Sequence, residues 1–156
     1  MVTQMKKRPS RRLKRNIRGM FRCNLHNCLA CPFIKECKQI KKESIDIWQL
    51  NQKFSCHSFN IIYMIECKKD RCRQRYIGHT KRKLKKRLAE HRYYAMNGKR
   101  ERVTGVHFSS LGHSVSDLSI TVLEMIESNR MDALTKRERF FIQKFDTVSK
   151  GLNGQL

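Results

Sequence analysis

Five consecutive apolar residues, Ile61-Ile62-Tyr63-Met64-Ile65, form the longest apolar run in a chain whose residues are 31% charged. The run lacks helical periodicity and is rich in strand-forming side chains, so it predicts a strand buried on both faces. Such a strand must lie inside a sheet that is covered on either side, which calls for helices. The rest of the chain supplies them. Arg75-Tyr76-Ile77-Gly78 ends a second short strand, with Cys67 and Cys72 in the connection between the two. Leu118, Ile120 and Val122 alternate with Ser119 and Thr121, as a third strand requires. Thr80 is the expected N-cap of a helix running to about Met96 and closed by Asn97-Gly98, with Leu84, Leu88 and Ala95 on its buried stripe. A weaker helix is expected over Val103 to Leu111, and a last one over Met131 to Phe145. The expected class is a small α/β fold with a short sheet flanked by helices.

Charge narrows the partner. The 156 residues carry 35 Lys+Arg against 13 Asp+Glu, a formal net charge of +22. A surface this positive calls for a polyanion, with nucleic acid the first candidate. Membrane insertion is not expected, because the run at Ile61–Ile65 is far shorter than the roughly 20 residues of a spanning helix. No apolar signal segment opens the chain, so secretion is not expected either. Residues 1–22 contain nine cations and no acid, and read as a solvated arm that orders, if at all, on nucleic acid. An arm of this kind can equally act as a nuclear-import patch, and a nuclear location is expected.

Seven cysteines, an odd number, favour zinc thiolates over disulfides. Residues 23–58 read as a cysteine-rich zinc module in which Cys23, Cys28, Cys31 and Cys56 make an all-thiolate site, or Cys37 replaces Cys56. The spacing leaves both sets open. Between them Gln39 to Phe54 is expected to form a short strand or a loop packed beside the metal.

Two helices carry polar residues where apolar ones are expected. In the last helix Leu134, Phe141 and Phe145 form a stripe and Glu138 falls within it; a buried carboxylate needs an arginine or a divalent cation. In the first helix Arg87 and His91 are four residues apart, on one face with Leu84 and Leu88. The cations Lys81, Arg82, Lys85, Lys86 and Arg92 around them are candidate phosphate contacts.

Taken in order, Ile61-Ile62-Tyr63, Tyr76-Ile77-Gly78, Arg87, Glu138 within Lys-Arg-Glu-Arg-Phe-Phe-Ile, and Asn153 within Gly151-Leu152-Asn153 resemble the GIY-YIG nuclease signature. The first motif departs from it, having Ile61 where the family has glycine. With cysteines between the tyrosine motifs, His107-Phe108…Gly112-His113, a Leu-Glu strand end and a closing Gly-Leu-Asn, the chain is more specifically similar to the endonucleases of Penelope-like retroelements. The similarity runs from about Arg22 to Asn153.

This resemblance implies a GIY-YIG-type fold over residues 59–156, with a short, about three-stranded, mainly antiparallel sheet. It implies a metal-dependent DNA endonuclease whose nick primes reverse transcription, with DNA, a reverse transcriptase domain and its RNA template as partners. Glu138 would be the sole protein carboxylate on a catalytic Mg²⁺ or Mn²⁺. Tyr63 and Tyr76 would flank the phosphate, one helping to deprotonate the attacking water and the other orienting it. Arg87 would stabilise charge on the phosphate oxygens, His91 would assist, and Asn153 would hold a phosphate oxygen or a tyrosine hydroxyl. The resemblance also suggests a structural zinc site of Cys67, Cys72, His107 and His113. The alternative function is a catalytically inactive zinc-containing nucleic-acid-binding module, which charge and cysteines support equally; a carboxylate at Glu138 is what distinguishes the two.

Overall fold

The structure is a computed structural model that describes residues 16–43 and 46–154. Most of the basic arm, residues 1–15, lies outside the described residues. Its end does not behave as an arm: Gly19–Met20 (β1) pairs in parallel with Lys53–Phe54 (β4), and Met20 is fully buried, because an apolar side chain there completes the core beneath the cysteines. Between them Gln39–Lys41 (β2) and Ile47–Gln49 (β3) form an antiparallel pair. The stretch that read as strand or loop is therefore a small hairpin. It packs on the rest of the chain through Trp48, whose Nε1 donates to the Leu123 carbonyl (3.0 Å) and whose ring stands edge-on to Phe141.

The main sheet has three antiparallel strands in the order β6–β5–β7, with β5 (Ile61–Cys67) central, β6 Arg75–Thr80 and β7 Leu118–Met125. All five residues of the apolar run are buried, as a central strand covered on both faces demands. Of three helices, α3 (Met131–Lys144) packs on β6 and β5, α1 (Leu84–Asn97) meets the sheet through His91, and α2 (Val103–Ser109) packs on α1. The fold is thus a mixed α/β one with a small antiparallel sheet.

Both sheet edges are occupied, which removes the exposed ladder that an edge otherwise offers. Beside β7, Lys35 N–H donates to the Ile120 carbonyl and Ile34 bridges the same residue. Beside β6, Leu152 N–H donates to the Arg75 carbonyl (2.8 Å), so the tail lies along that edge.

Thr80 is not a helix cap. It is the last residue of β6, and its hydroxyl accepts from the Arg82 N–H. The helix starts four residues later because its first free N–H groups are taken by backbone: Leu84 N–H by the Ser58 carbonyl (2.8 Å) and Lys85 N–H by that of Cys56 (3.0 Å). Its other end fits expectation, with Gly98 in the left-handed region (φ 56°) closing the last turn.

Candidate active site

Alternation along β6 divides its side chains between two faces. Tyr76 and Gly78 face α1, and Tyr76 meets His91 edge-on. Arg75 and His79 face α3, the first over the Phe145 ring and the second against Glu138. On the α1 face Tyr63 lies opposite Gly78, and the two are inseparable: a Cβ at position 78 would stand 2.5 Å from the Tyr63 hydroxyl.

That hydroxyl is fully buried and fully engaged. Arg87 Nε–H donates to it at 2.9 Å, and the Tyr63 hydroxyl lies 2.8 Å from His91 Nε2. His91 Nδ1 is in turn 2.9 Å from Thr104 Oγ1. Since Arg87 can only donate, Tyr63 keeps its own proton for His91, whose Nδ1–H then points at Thr104. Burial, followed by the charges of Arg87 and Arg102, pushes His91 down to about 3, so the ring is neutral. Burial likewise pushes Tyr63 far above the usual phenol range, with Tyr76 adding to the rise and Arg87 opposing it. Tyr76 is raised by burial against the pull of Arg87.

Arg87 is itself held. Its Nη1 donates to Glu90 (2.6 Å), whose other oxygen takes Arg82 (2.5 Å). Although burial opposes it, the guanidinium stays charged beside Tyr63 and Glu90. In front of this group opens a cleft of about 230 Å³ lined by Tyr76, Arg87, His91, Arg102, Thr104 and Asn153.

Glu138 lies outside that lining, on α3 against His79, yet near enough for its charge to act on both Tyr63 and Tyr76. Its carboxylate is 2.9 Å from His79 Nδ1, though off the line of a good hydrogen bond, and its charge raises the pKa of both Tyr63 and Tyr76. The neighbour of this carboxylate is thus a histidine, which spacing alone did not reveal. His79 directly follows the Tyr76-Ile77-Gly78 motif, and strand alternation could have found it.

Asn153 lines the cleft, and its amide also has a structural task. Its Oδ1 accepts from Ile77 N–H and its Nδ2 donates to the Ile77 carbonyl, both at 2.8 Å. The side-chain amide mimics a neighbouring strand and satisfies the free edge of β6, while the second N–H of Nδ2 is left over at the lining of the cleft.

The candidate phosphate contacts divide. Arg82 is paired with Glu90, Lys81 donates to the Asn129 carbonyl, and Arg92 stacks over Phe33 at 4.9 Å with its Nε buried. Lys85 and Lys86 line a separate cleft with His57 and Cys28.

Two groups of side chains could hold a metal ion, each with its ligand atoms within 4.8 Å of one another: Cys23, Cys28, Cys31 and Cys56, and Cys67, Cys72, His107 and His113. Cys56, not Cys37, completes the first, because β4 carries it under the cysteine turn. Sulfurs of Cys23 and Cys31 are 3.5 Å apart and those of Cys31 and Cys56 3.7 Å. Ligands of a tetrahedral zinc are about 3.8 Å apart for Zn–S bonds of about 2.3 Å, whereas a disulfide needs about 2 Å. Hydrogen bonds from the Ala30 N–H, Cys23 and the Cys31 N–H outweigh burial and bring Cys28 down to about 7, towards the thiolate that a metal requires. In the second group Cys72 Sγ is 3.5 Å from His107 Nε2, and His113 Nε2 is buried without a hydrogen-bond partner, the condition of a ligating nitrogen. Both sets fit zinc.

The family model of the GIY-YIG catalytic domain matches residues 59–153, more than half of the chain. The chain belongs to the GIY-YIG family. Domains of this family are typical of DNA endonucleases, so the GIY-YIG domain here implies nuclease activity with DNA as substrate, and family nucleases use divalent metals. Neither a curated protein nor a solved structure shows significant similarity to the chain. Among the described residues no helix is long and apolar enough to cross a membrane.

Proposed function

We propose that this GIY-YIG protein nicks duplex DNA when Mg²⁺ or Mn²⁺ is supplied, as the nuclear endonuclease of a Penelope-like retroelement whose nick primes reverse transcription. The retroelement assignment rests on the cysteines and histidines woven through the tyrosine motifs, and it makes a reverse transcriptase and its RNA template the working partners. The observation that carries the catalytic reading is the Tyr63 hydroxyl locked between Arg87 Nε and His91 Nε2. A buried hydrogen-bonded array around a cation is costly to build and is what pre-organised phosphate chemistry needs.

Glu138, a largely buried carboxylate beside His79, is the residue that would hold the catalytic ion. Bound there, the ion supplies charge neutralisation on the phosphate and a lowered water pKa. Arg87 spends Nε on Tyr63 and Nη1 on Glu90; its remaining N–H groups, beside Tyr76, are those that can meet a phosphate oxygen in the cleft. Tyr76 lines that cleft and is the phenol within reach of an attacking water, while Tyr63 works from behind it by holding Arg87. His91, neutral, accepts the Tyr63 hydroxyl proton in a hydrogen bond and so fixes the orientation of that phenol towards Arg87. Zinc bound by the two ligand groups would hold the cysteine segment and the β5–β6 connection in place.

Plasmid nicking across a Mg²⁺ or Mn²⁺ titration tests the reading. Glu138→Ala should abolish nicking and leave duplex affinity nearly unchanged. A parent protein that binds DNA yet never nicks it would leave only a basic zinc-containing binding module.

A further inference from the structure

A second cleft, larger than the catalytic one at about 600 Å³, opens on the α3 face of the sheet. It lies where the end of β5, the start of β6, the β2 turn and the residues after α3 converge. Seven cations line it (Lys35, Lys41, Lys42, Lys68, Arg73 and Arg75, with Lys150) against three carboxylates, Glu43, Glu66 and Asp146. Internal pairing consumes part of that charge: Lys35 and Arg75 both grip Glu66 (2.5 and 2.6 Å), and Lys150 reaches Glu43 and Asp146. Lys41, Lys42, Lys68 and Arg73 have no ion pair among the described residues. Four unpaired cations around one concavity repel one another, and an anion in their midst relieves that cost.

We propose that this cleft is a phosphate-binding site for the backbone of the DNA being cut, separate from the catalytic cleft. The inference rests on the nuclease reading for the identity of its ligand. Position supports it. Along α3, Glu138 sits against His79 and the helix runs on to Phe145 over Arg75 at the mouth of the second cleft. Seven residues of helix cover about 10 Å. Phosphates of one strand advance about 3.4 Å each along the duplex axis. Since the phosphates also wind around that axis, a strand held at Glu138 presents another phosphate to the cleft about one to two nucleotides away. Lys68 and Arg73 reach the cleft from the connection between β5 and β6, each next to a cysteine of the second candidate metal group, Cys67 and Cys72.

The test is salt-dependent binding of a short duplex to the full chain carrying Glu138→Ala, which separates binding from cleavage. Lys68→Ala/Arg73→Ala should weaken affinity and reduce the slope of log K against log salt by about one to two. A control double, Lys38→Ala/Lys53→Ala, removes the same net charge from exposed positions outside the cleft and should leave the slope near that of the parent. Equal slopes in both doubles would overturn the proposal, because only diffuse charge would then be at work. Loss of inorganic-phosphate binding with duplex affinity intact would overturn it too, since the cleft would then serve a small anion. These readouts stand whether or not the parent protein nicks plasmid.

Discussion

The Tyr63 hydroxyl occupies the space in which a side chain at Gly78 would begin, 2.5 Å from the position of its Cβ. The two residues are cross-strand partners, so the last glycine of the second motif exists to let the first motif's phenol lie across it and reach Arg87. Gly78→Ala should therefore displace the Tyr63 ring and cost more than 10-fold in nicking, with a core-overpacking loss of about 1–3 kcal/mol. Nicking rate and chemical denaturation check the two parts; an active variant of parental stability would mean that the ring can move aside freely.

Glu90 is expected to act through Arg87. Burial pulls its carboxyl up, but Arg87 and Arg82 outweigh this and hold it below the usual range. Glu90→Gln should reduce kcat about 10-fold with little change in KM, whereas Arg87→Lys, which cannot serve Tyr63, Glu90 and phosphate at once, should lose at least 100-fold. Equal activity of parent and Glu90→Gln would show that Arg87 holds its place without it.

His91 sets an acid limit on stability. Its folded pKa, about 3, lies below the unfolded value of about 6.5, so the unfolded chain gains a proton first as pH falls. Its contribution is complete above about pH 6.5 and declines towards pH 3, by up to about 1.4 kcal/mol per pH unit. Urea unfolding of the parent and His91→Gln between pH 4 and 7 should show a shallower slope for the variant. Parallel slopes would mean that the ring takes up a proton in the folded state.

Metal content should be two zinc ions per chain. Cys56→Ser and His113→Ala should each lose one, and Cys37→Ser none, because Cys37 stands apart from both ligand groups. Native mass spectrometry reads the count directly; a single ion lost on Cys37→Ser would reverse the ligand assignment at the first site.

Local pattern made much of this legible. The unbroken run at Ile61–Ile65 announced a central strand, and Leu84, Leu88 and Ala95 marked a helix face that is indeed buried. The Tyr, Arg and Glu positions could be listed in order, and Cys23, Cys28 and Cys31 grouped, because each depends on residues close in the chain or on a motif of fixed order. A distant backbone competed for two of the groups that the sequence offered. Thr80 lost the helix N-terminus to the carbonyls of Cys56 and Ser58, and Asn153, though at the cleft, also closes the bare edge at Ile77.

Sequence by itself therefore determined the strand and helix types, the positive field and the roster of chemically able side chains, since these follow from side-chain periodicity and charge. Only the tertiary structure decided which of them meet. It chose Cys56 over Cys37, set His79 against Glu138, and tied Thr104, His91, Tyr63, Arg87 and Glu90 into one hydrogen-bonded line. The reason is that hydrogen bonds and ligand sets are closed by geometry within a few ångströms, between atoms that the chain brings together only when the sheet and its two faces have formed.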